Sequence, residues 1–503
     1  MTNDDPAALR AYHAQTKHSV ASVTQSRHGL DFDTMPRPFK IYPELDPIPL
    51  PRDFDTAPRP ALAALGDPGQ VDGPGPALDI HALARLLFFT AGIVRTKTYP
   101  AGEMHFRAAA CTGALYHIDL YVVCGPLDDL PAGVYHFGPH DFALRRLRDG
   151  DHRAALVAAS GGNAAIADAP VTLVLTSTFW RNSWKYRSRA YRHAFWDAGT
   201  LLANLLAVAA ASRLPVEVDL GWVDADVDAL VGIDGRREAS IAVVPLGRGL
   251  PVAGSSSIAA PIEPVTLPYS SEQLDYPAIE VAHRASALES PTEAASWRAG
   301  RMPAAPPRTQ ATAPLPPDTV LESIETVILR RGSARRFPRE AITAAQLATI
   351  LACAVGPIPS DFDEGTPRLA DLYVIVNAVE GVDSGAYVHQ PETGLVLLQA
   401  GDFRGTAGHL DLGQPLAADA AVNCYWLSDL DPVLARFGNR GYRAAQLEAA
   451  IAGGRTYLAA YALGLAATGL TFFDDDVTAF FSPHAAGKSV MFLTAIGRRA
   501  RRA

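Results

Sequence analysis

The segment ILRRGSARRF (328–337) sets Arg331, Ser333 and Arg335 at alternate positions behind an apolar helical run. Two guanidinium forks can pair with a phosphate dianion while a hydroxyl meets a remaining oxygen, so the set suits a phosphate monoester. Read alone, such an arginine run is usually an ordinary solvated face. A second cluster, WKYRSRAYR (184–192), joins Lys185 and Tyr186 to Arg187, Arg189 and Arg192. By itself it reads as a charged surface turn or as an anion-binding set. Fourteen histidines are scattered along the chain, and Cys111, Cys124, Cys353 and Cys424 form no CxxC. Neither a metal site nor a disulfide framework is therefore expected, and a reducing cytoplasm fits. No GxGxxG follows a strand, so a Rossmann dinucleotide domain is not expected.

These groups need elements to hold them. DIHALARLLFFTAGI has apolar residues at helical spacing behind Asp79, a helix-capping residue. IDLYVVC, APVTLVLTST and ASIAVVPLG read as buried strands, and DAGTLLANLLAVAAASRL as a helix. Towards the C-terminus, SIETVILRR, ITAAQLATILACAVG and LEAAIAGGRTYLAAYALGL read as helices, the last with a glycine pair at a tight packing point; ADLYVIVN and KSVMFLTAIG read as strands. The mixture predicts α+β halves, each a mainly antiparallel sheet flanked by helices.

The halves repeat one another. LYVVCGPLDDLPAGVYHF (120–137) matches LYVIVNAVEGVDSGAYVH (372–389) at a shift of 252, and Asp151 matches Asp402 at 251. Asp224 and Asp226 match Asp474 and Asp476 at 250. So constant a shift means two copies of one domain, an internal pseudo-dimer with a candidate ligand cleft between its halves. The expected boundaries are an extended arm over 1–80, a first domain over 81–250, a Pro/Ala-rich surface linker over 251–320 and a second domain over 321–503. The arm's many prolines favour extended structure, wrapped on a domain or largely disordered.

A net charge of −9 argues against nucleic-acid binding. No signal-peptide h-region is visible, and LLANLLAVAAA (201–211) is too short to span a bilayer and contains Asn204. No membrane partner is expected, and this run reads as a buried core helix.

Taken in order, these segments resemble the flavin-dependent nitroreductase superfamily, and within it the SagB/ThcOx-type dehydrogenases. The resemblance is carried by RAAACTGALYHIDLYVV, LPAGVYHF, WKYRSRAYRHAFWDAGTLLANLL, RRGSARRF and YLAAYALGL, with the arm similar to that family's leader. It implies two fused nitroreductase-like domains sharing FMN. One half would supply the phosphate clamp, Arg331, Ser333 and Arg335. The other would supply the flavin-edge segment, Arg107 with Ala110, Cys111, Thr112 and Gly113. Thr471 or Phe472 would offer the backbone N–H that approaches flavin N5, and Lys185 and Tyr186 would handle the substrate proton.

Each of these segments occurs once, so the resemblance implies one FMN per chain. The family's Pro-Ser is Ala110-Cys111 here, and His117 stands where the family usually carries Pro. The implied activity is dehydrogenation of azoline-type rings in a peptide natural product, on a small-molecule or peptide substrate, alongside a partner biosynthetic enzyme. An NAD(P)H-dependent nitro, quinone or ene reductase, or a non-catalytic FMN-sequestering protein, remains the alternative. Further homodimerisation stays open.

Overall fold

The β-branched runs pair directly: Ile118–Cys124 lies antiparallel to Val171–Thr178, with Tyr121 opposite Val174. Every residue of both strands is buried, which is why they read as unbroken apolar runs rather than alternating ones. The computed structural model describes the whole chain except residues 1–2, 27, 68–74, 101, 253–259, 301–320, 363–367 and 501–503. The Pro-rich part of the expected linker, 301–320, thus lies outside the described residues.

In the first sheet the order is Pro47–Pro49, Ala143–Asp149, Gly133–Gly138, Ile118–Cys124, Val171–Thr178, Glu238–Leu246, antiparallel throughout. In the second it is Gly394–Ala400, Gly385–Gln390, Asp371–Val376, Val422–Ser428, Ser489–Gly497, Ala466–Gly469, again antiparallel. The shared strands run in the same order; only the sixth differs. The arm lends Pro47–Pro49 to the first sheet, and Ala466–Gly469 closes the second. Helices flank both sheets, as the α+β reading requires.

Two long helices, Ala190–Ala211 and Arg440–Ala462, are buried along their whole length and pack on each other. Gly199 faces Ala450, and Gly454 faces Ala203. Both pairs differ by 251, so each residue touches its own counterpart, which happens only on a twofold axis. A Cβ at Gly454 would lie 2.5 Å from Ala203 Cβ and 3.1 Å from Thr200 Cα. Gly454→Ala is therefore expected to destabilise the chain by about 1–3 kcal/mol, although alanine is the better helix former. A lowered urea midpoint would show it; a raised one would mean that the helices can separate freely.

The same symmetry governs the buried charges. Asp474 pairs with Arg189 (3.0 Å) and Arg192 (2.6 Å), and Asp224 with Arg440 (2.6 Å) and Arg443 (2.7 Å). Burial alone would raise both carboxyls, but the guanidiniums beside them win and hold both well below the usual carboxylate range. Arg189 and Arg192, read from sequence as part of a surface turn or anion site, thus bind an anion from the chain's own other half. Arg187 alone of that trio is exposed.

The continuous helical stretch Phe179–Ala211 is long and apolar enough to cross a membrane by composition, yet its apolar window is wholly buried inside the protein. It is a core helix.

The arm is fixed at several points. Its Ala7–Gln15 helix buries Leu9, Tyr12 and His13, and the His13 carbonyl accepts from Arg192 (2.7 Å). Lys40 is buried, donating to Glu238 and to the Tyr121 hydroxyl, both at 2.7 Å. The reading of 251–320 as a surface connector needs correction. Pro277–Ala285 and Pro291–Ala299 are helices that bury Ile279, His283, Ala294 and Trp297. Each starts with proline at its first turn, and Ser290 caps the second by accepting from Glu293 N–H. In so short a helix, Pro and Ala mimic linker composition.

Candidate active site

Arg331 follows the Ile324–Arg330 helix and is buried against the opposite half. Its Nε donates to the Ala108 carbonyl (3.0 Å) and an Nη to the Arg107 carbonyl (3.3 Å). Burial pushes its pKa down, and it forms no ion pair with a carboxylate of any described residue. Ser333 and Arg335 are exposed; Ser333 Oγ lies 3.4 Å from the Tyr457 hydroxyl, and Arg335 forms no ion pair with any described residue. A buried guanidinium and an exposed one, neither neutralised, stand on either side of a hydroxyl.

The flavin-edge segment faces this clamp. Arg107 is buried, its Nη groups donating to the carbonyls of Pro38 (3.0 Å) and Ile118 (3.4 Å) while its Nε has no partner among the described residues. Burial, then the neighbouring Arg181, lowers its pKa to about 10. Beyond it the backbone is contorted: Gly113, Ala114 and Tyr116 have φ of 67°, 55° and 48°. Two of these are not glycine, and such strain collects where a fold must aim side chains.

The turn wraps onto Asp197, in the first long helix. Asp197 Oδ1 accepts from Thr112 N–H and from the Thr112 hydroxyl, both at 2.8 Å. Its Oδ2 accepts from Cys111 Sγ at 3.0 Å and meets His117 Nε2 at 2.9 Å. Burial, then Asp197, pushes the Cys111 thiol well above the ordinary range. Cys111 and Asp197 line a small cleft with Arg107, Ala110 and Tyr116. His117 is fully buried behind it rather than facing it.

Lys185 and Tyr186 end the Phe179–Tyr186 helix. Tyr186 packs on the same turn: a Cβ at Gly113 would sit 2.7 Å from its hydroxyl. Burial, then Asp197, raises the Tyr186 phenol, and Lys185 Nζ lies 5.3 Å from the Tyr186 ring centre. Arg187, next in the chain, has φ 53° and ψ −141°, where its counterpart Gly438 has φ 62° and ψ −160°. An arginine thus holds a glycine conformation immediately after Tyr186. Aromatic rings then lead to the other half: Tyr186 to His193 (4.7 Å), His193 to Trp196 (4.9 Å), Trp196 to Phe472 (5.7 Å). Phe472 is buried, and the neighbouring Thr471 hydroxyl is buried without a hydrogen-bond partner among the described residues.

The structure therefore links the sequence-predicted residues through contacts: Arg331 to Arg107, Cys111 and Thr112 to Asp197, Gly113 to Tyr186, and Tyr186 onward to Phe472. Arg335 lies at the exposed end of the clamp. Asp197, which gathers the turn, was missed; its signal was a lone carboxylate opening the apolar run DAGTLLANLL.

The mirror position is different. Leu220 and Gly221, counterparts of Leu470 and Thr471, donate their N–H groups to Asp361 at 2.8 and 2.7 Å. Arg298 donates to the Gly221 carbonyl (3.0 Å). Phe437, at the place of Tyr186, is covered by Trp297 at 5.4 Å between ring centres, and Trp297 Nε1 donates to the Phe437 carbonyl at 2.8 Å. Asp361 and the Pro291–Ala299 helix occupy that space. The sequence after the Ala61–Gly66 helix reads DPGQVDG, without arginine.

An antiparallel α+β pair of sheets about a pseudo-dyad, with an arginine of one half braced on the backbone of the other, defines the class. The family model described as Nitroreductase family matches residues 90–248 and 328–497. The chain belongs to the nitroreductase family, in a tandem form, and is an oxidoreductase. A crystal structure of a candidate nitroreductase from Anabaena variabilis is 25% identical with a TM-score of 0.77, covering 98% of this chain and 99% of that one. Among curated proteins, the candidate nitroreductase MJ1384 of Methanocaldococcus jannaschii is 23% identical over 34% of this chain and 81% of its own length. The microcin B17-processing protein McbC of Escherichia coli is 29% identical over 30% of this chain, a match that spans 54% of McbC.

Proposed function

We propose that the chain binds one FMN between its halves and acts as a dehydrogenase on azoline-type rings of a peptide. The observation that carries the cofactor is Arg331: a buried cation from the second half, braced on the first half's carbonyls, with no ion-paired carboxylate among the described residues. A phosphate monoester supplies the missing charge, and Ser333 and Arg335 offer further donors. The unpartnered Thr471 hydroxyl and Arg107 Nε are polar atoms awaiting a bound group on the ring side. These residues fit FMN. FMN held there supplies a two-electron acceptor, while the protein positions and tunes it. The filled mirror position supports a count of one.

Within this reading, Lys185 and Tyr186 flank the substrate ring, and whichever of them is deprotonated accepts the proton lost from the ring carbon. The half-buried Lys185 and the strained turn at Arg187 set that pair against the Gly113 turn. The substrate class rests on the resemblance to SagB/ThcOx-type dehydrogenases and is supported by the likeness to McbC. A partner biosynthetic enzyme that presents the peptide belongs to the same reading. Four unpaired thiols suit a reducing cytoplasm.

The test is anaerobic mixing of the FMN-loaded chain with an azoline-bearing peptide. Bleaching of the flavin by the peptide is the expected result. Bleaching by NAD(P)H and not by the peptide would replace this reading with the reductase. Lys185→Ala and Tyr186→Phe are each expected to slow the peptide-driven step by about 10²–10³-fold with flavin content unchanged.

A further inference from the structure

Two places where this chain departs from the family's motif meet at one carboxylate. Cys111 stands where the family carries Ser, and His117 where it carries Pro. Cys111 Sγ, His117 Nε2 and a carboxylate oxygen of Asp197 all lie within 4.8 Å of one another. They come from a turn, the edge of a strand and a long helix, so no spacing in the sequence announces them, and the sequence led us to expect no metal.

We propose that Cys111, His117 and Asp197 bind a single divalent ion of the zinc type, with three protein ligands and a fourth position open to the cleft. Thiolate, imidazole and carboxylate are the ligand set that such ions take, and three protein ligands with one open position are characteristic of reactive rather than purely structural sites. The surroundings already orient each ligand through its other atoms. His117 Nδ1 is held by Ser177 Oγ at 2.8 Å, which leaves Nε2 facing the cluster. Asp197 Oδ1 is held by Thr112 N–H and its hydroxyl, which leaves Oδ2 facing it. The sulfur accepts the Tyr116 N–H at 3.0 Å, which fixes its position. Outer partners of this kind fix ring orientation and charge in metal centres.

Cys111 and Asp197 line the cleft, so the open position faces it. Binding breaks the Cys111 S–H bond, sends the proton to solvent and forms a metal–sulfur bond, with no change of oxidation state. The Sγ–Oδ2 and Nε2–Oδ2 separations of 3.0 and 2.9 Å are about 0.5 Å shorter than ligands on one zinc would keep with bonds of about 2.0–2.3 Å.

The inference stands apart from the flavin reading and is tested without turnover. The full-length chain, stripped with EDTA and free of flavin, is titrated with Co²⁺. The expected result is one ion per chain, with a sulfur-to-cobalt charge-transfer band that Zn²⁺ abolishes, and loss of Cys111 reactivity towards a thiol reagent. Cys111 is half-exposed while the other three cysteines are buried, so that reagent reports on it. Cys111→Ser and His117→Pro restore the family's own residues and should fold; each is expected to weaken binding at least 10²-fold, whereas Cys124→Ser should not. The proposal is overturned if no charge-transfer band forms, or if Cys111→Ser and His117→Pro bind Co²⁺ as the parent does.

Discussion

Asp474→Ala is expected to remove about 3–5 kcal/mol of folding stability, because it strands Arg189 and Arg192 in the interior without a counter-charge. Asp224→Ala should cost the same, through Arg440 and Arg443. Urea unfolding followed by circular dichroism measures both. The pair separates structure from function. Arg189 lies over the rings of Trp196 (5.6 Å) and Phe472 (5.3 Å), the latter being one of the residues proposed at the flavin. Arg440 lies over Trp222 at 4.5 Å, beside the filled mirror position. Only Asp474→Ala is therefore expected to weaken flavin binding as well. Equal flavin losses in the two variants would mean that both positions hold cofactor. The pH dependence has a definite sign. Both carboxyls are depressed in the fold, so their contribution is complete above the ordinary aspartate pKa of about 4 and falls away only as acid protonates them.

Arg331→Ala is expected to cut FMN affinity by about 10²-fold, near 3 kcal/mol, since it deletes a charge-assisted bond to the phosphate from a buried position. Fluorescence of free against bound flavin gives the constant. The variant also loses the link to the carbonyls of Arg107 and Ala108, so its urea midpoint must be read beside it. Arg335→Ala, at the exposed end of the clamp, should lose less affinity and no stability. If Arg331→Ala binds FMN normally, the phosphate lies elsewhere.

The parts of this protein that were legible in its sequence are those whose signal is local or repeated. A buried strand such as Ile118–Cys124 declares itself by an apolar run, and Asp79 accepts from the Ala82 N–H (2.8 Å) as its position before a helix predicts. The duplication appears because Leu-Tyr-Val and the paired aspartates keep their spacing. The arginine clamp is compact enough to stand out as Arg-x-Ser-x-Arg.

What was hidden depends on distance. Asp197 meets Thr112 across eighty-five positions, and nothing near it marks it as the hub of the turn. The Pro291–Ala299 helix has too few residues to develop a clear period, so the fold alone reveals that Trp297 covers Phe437. The long helices begin earlier than their apolar runs, at Ala190 and Arg440, because their first turns carry arginines whose burial depends on a carboxylate in the other half. A charge cluster read as surface is interior when its partner is on another element, and only tertiary structure supplies the partner.

The measurement that bears most directly on the central claim is the flavin content of the purified chain, reconstituted with excess FMN, freed of unbound cofactor, denatured and quantified against protein. One FMN per chain is the predicted result, held by Arg331 and the Arg107–Gly113 segment while Asp361 and Trp297 keep the mirror position filled. Two per chain would contradict the asymmetry between the halves, and none would contradict the cofactor itself.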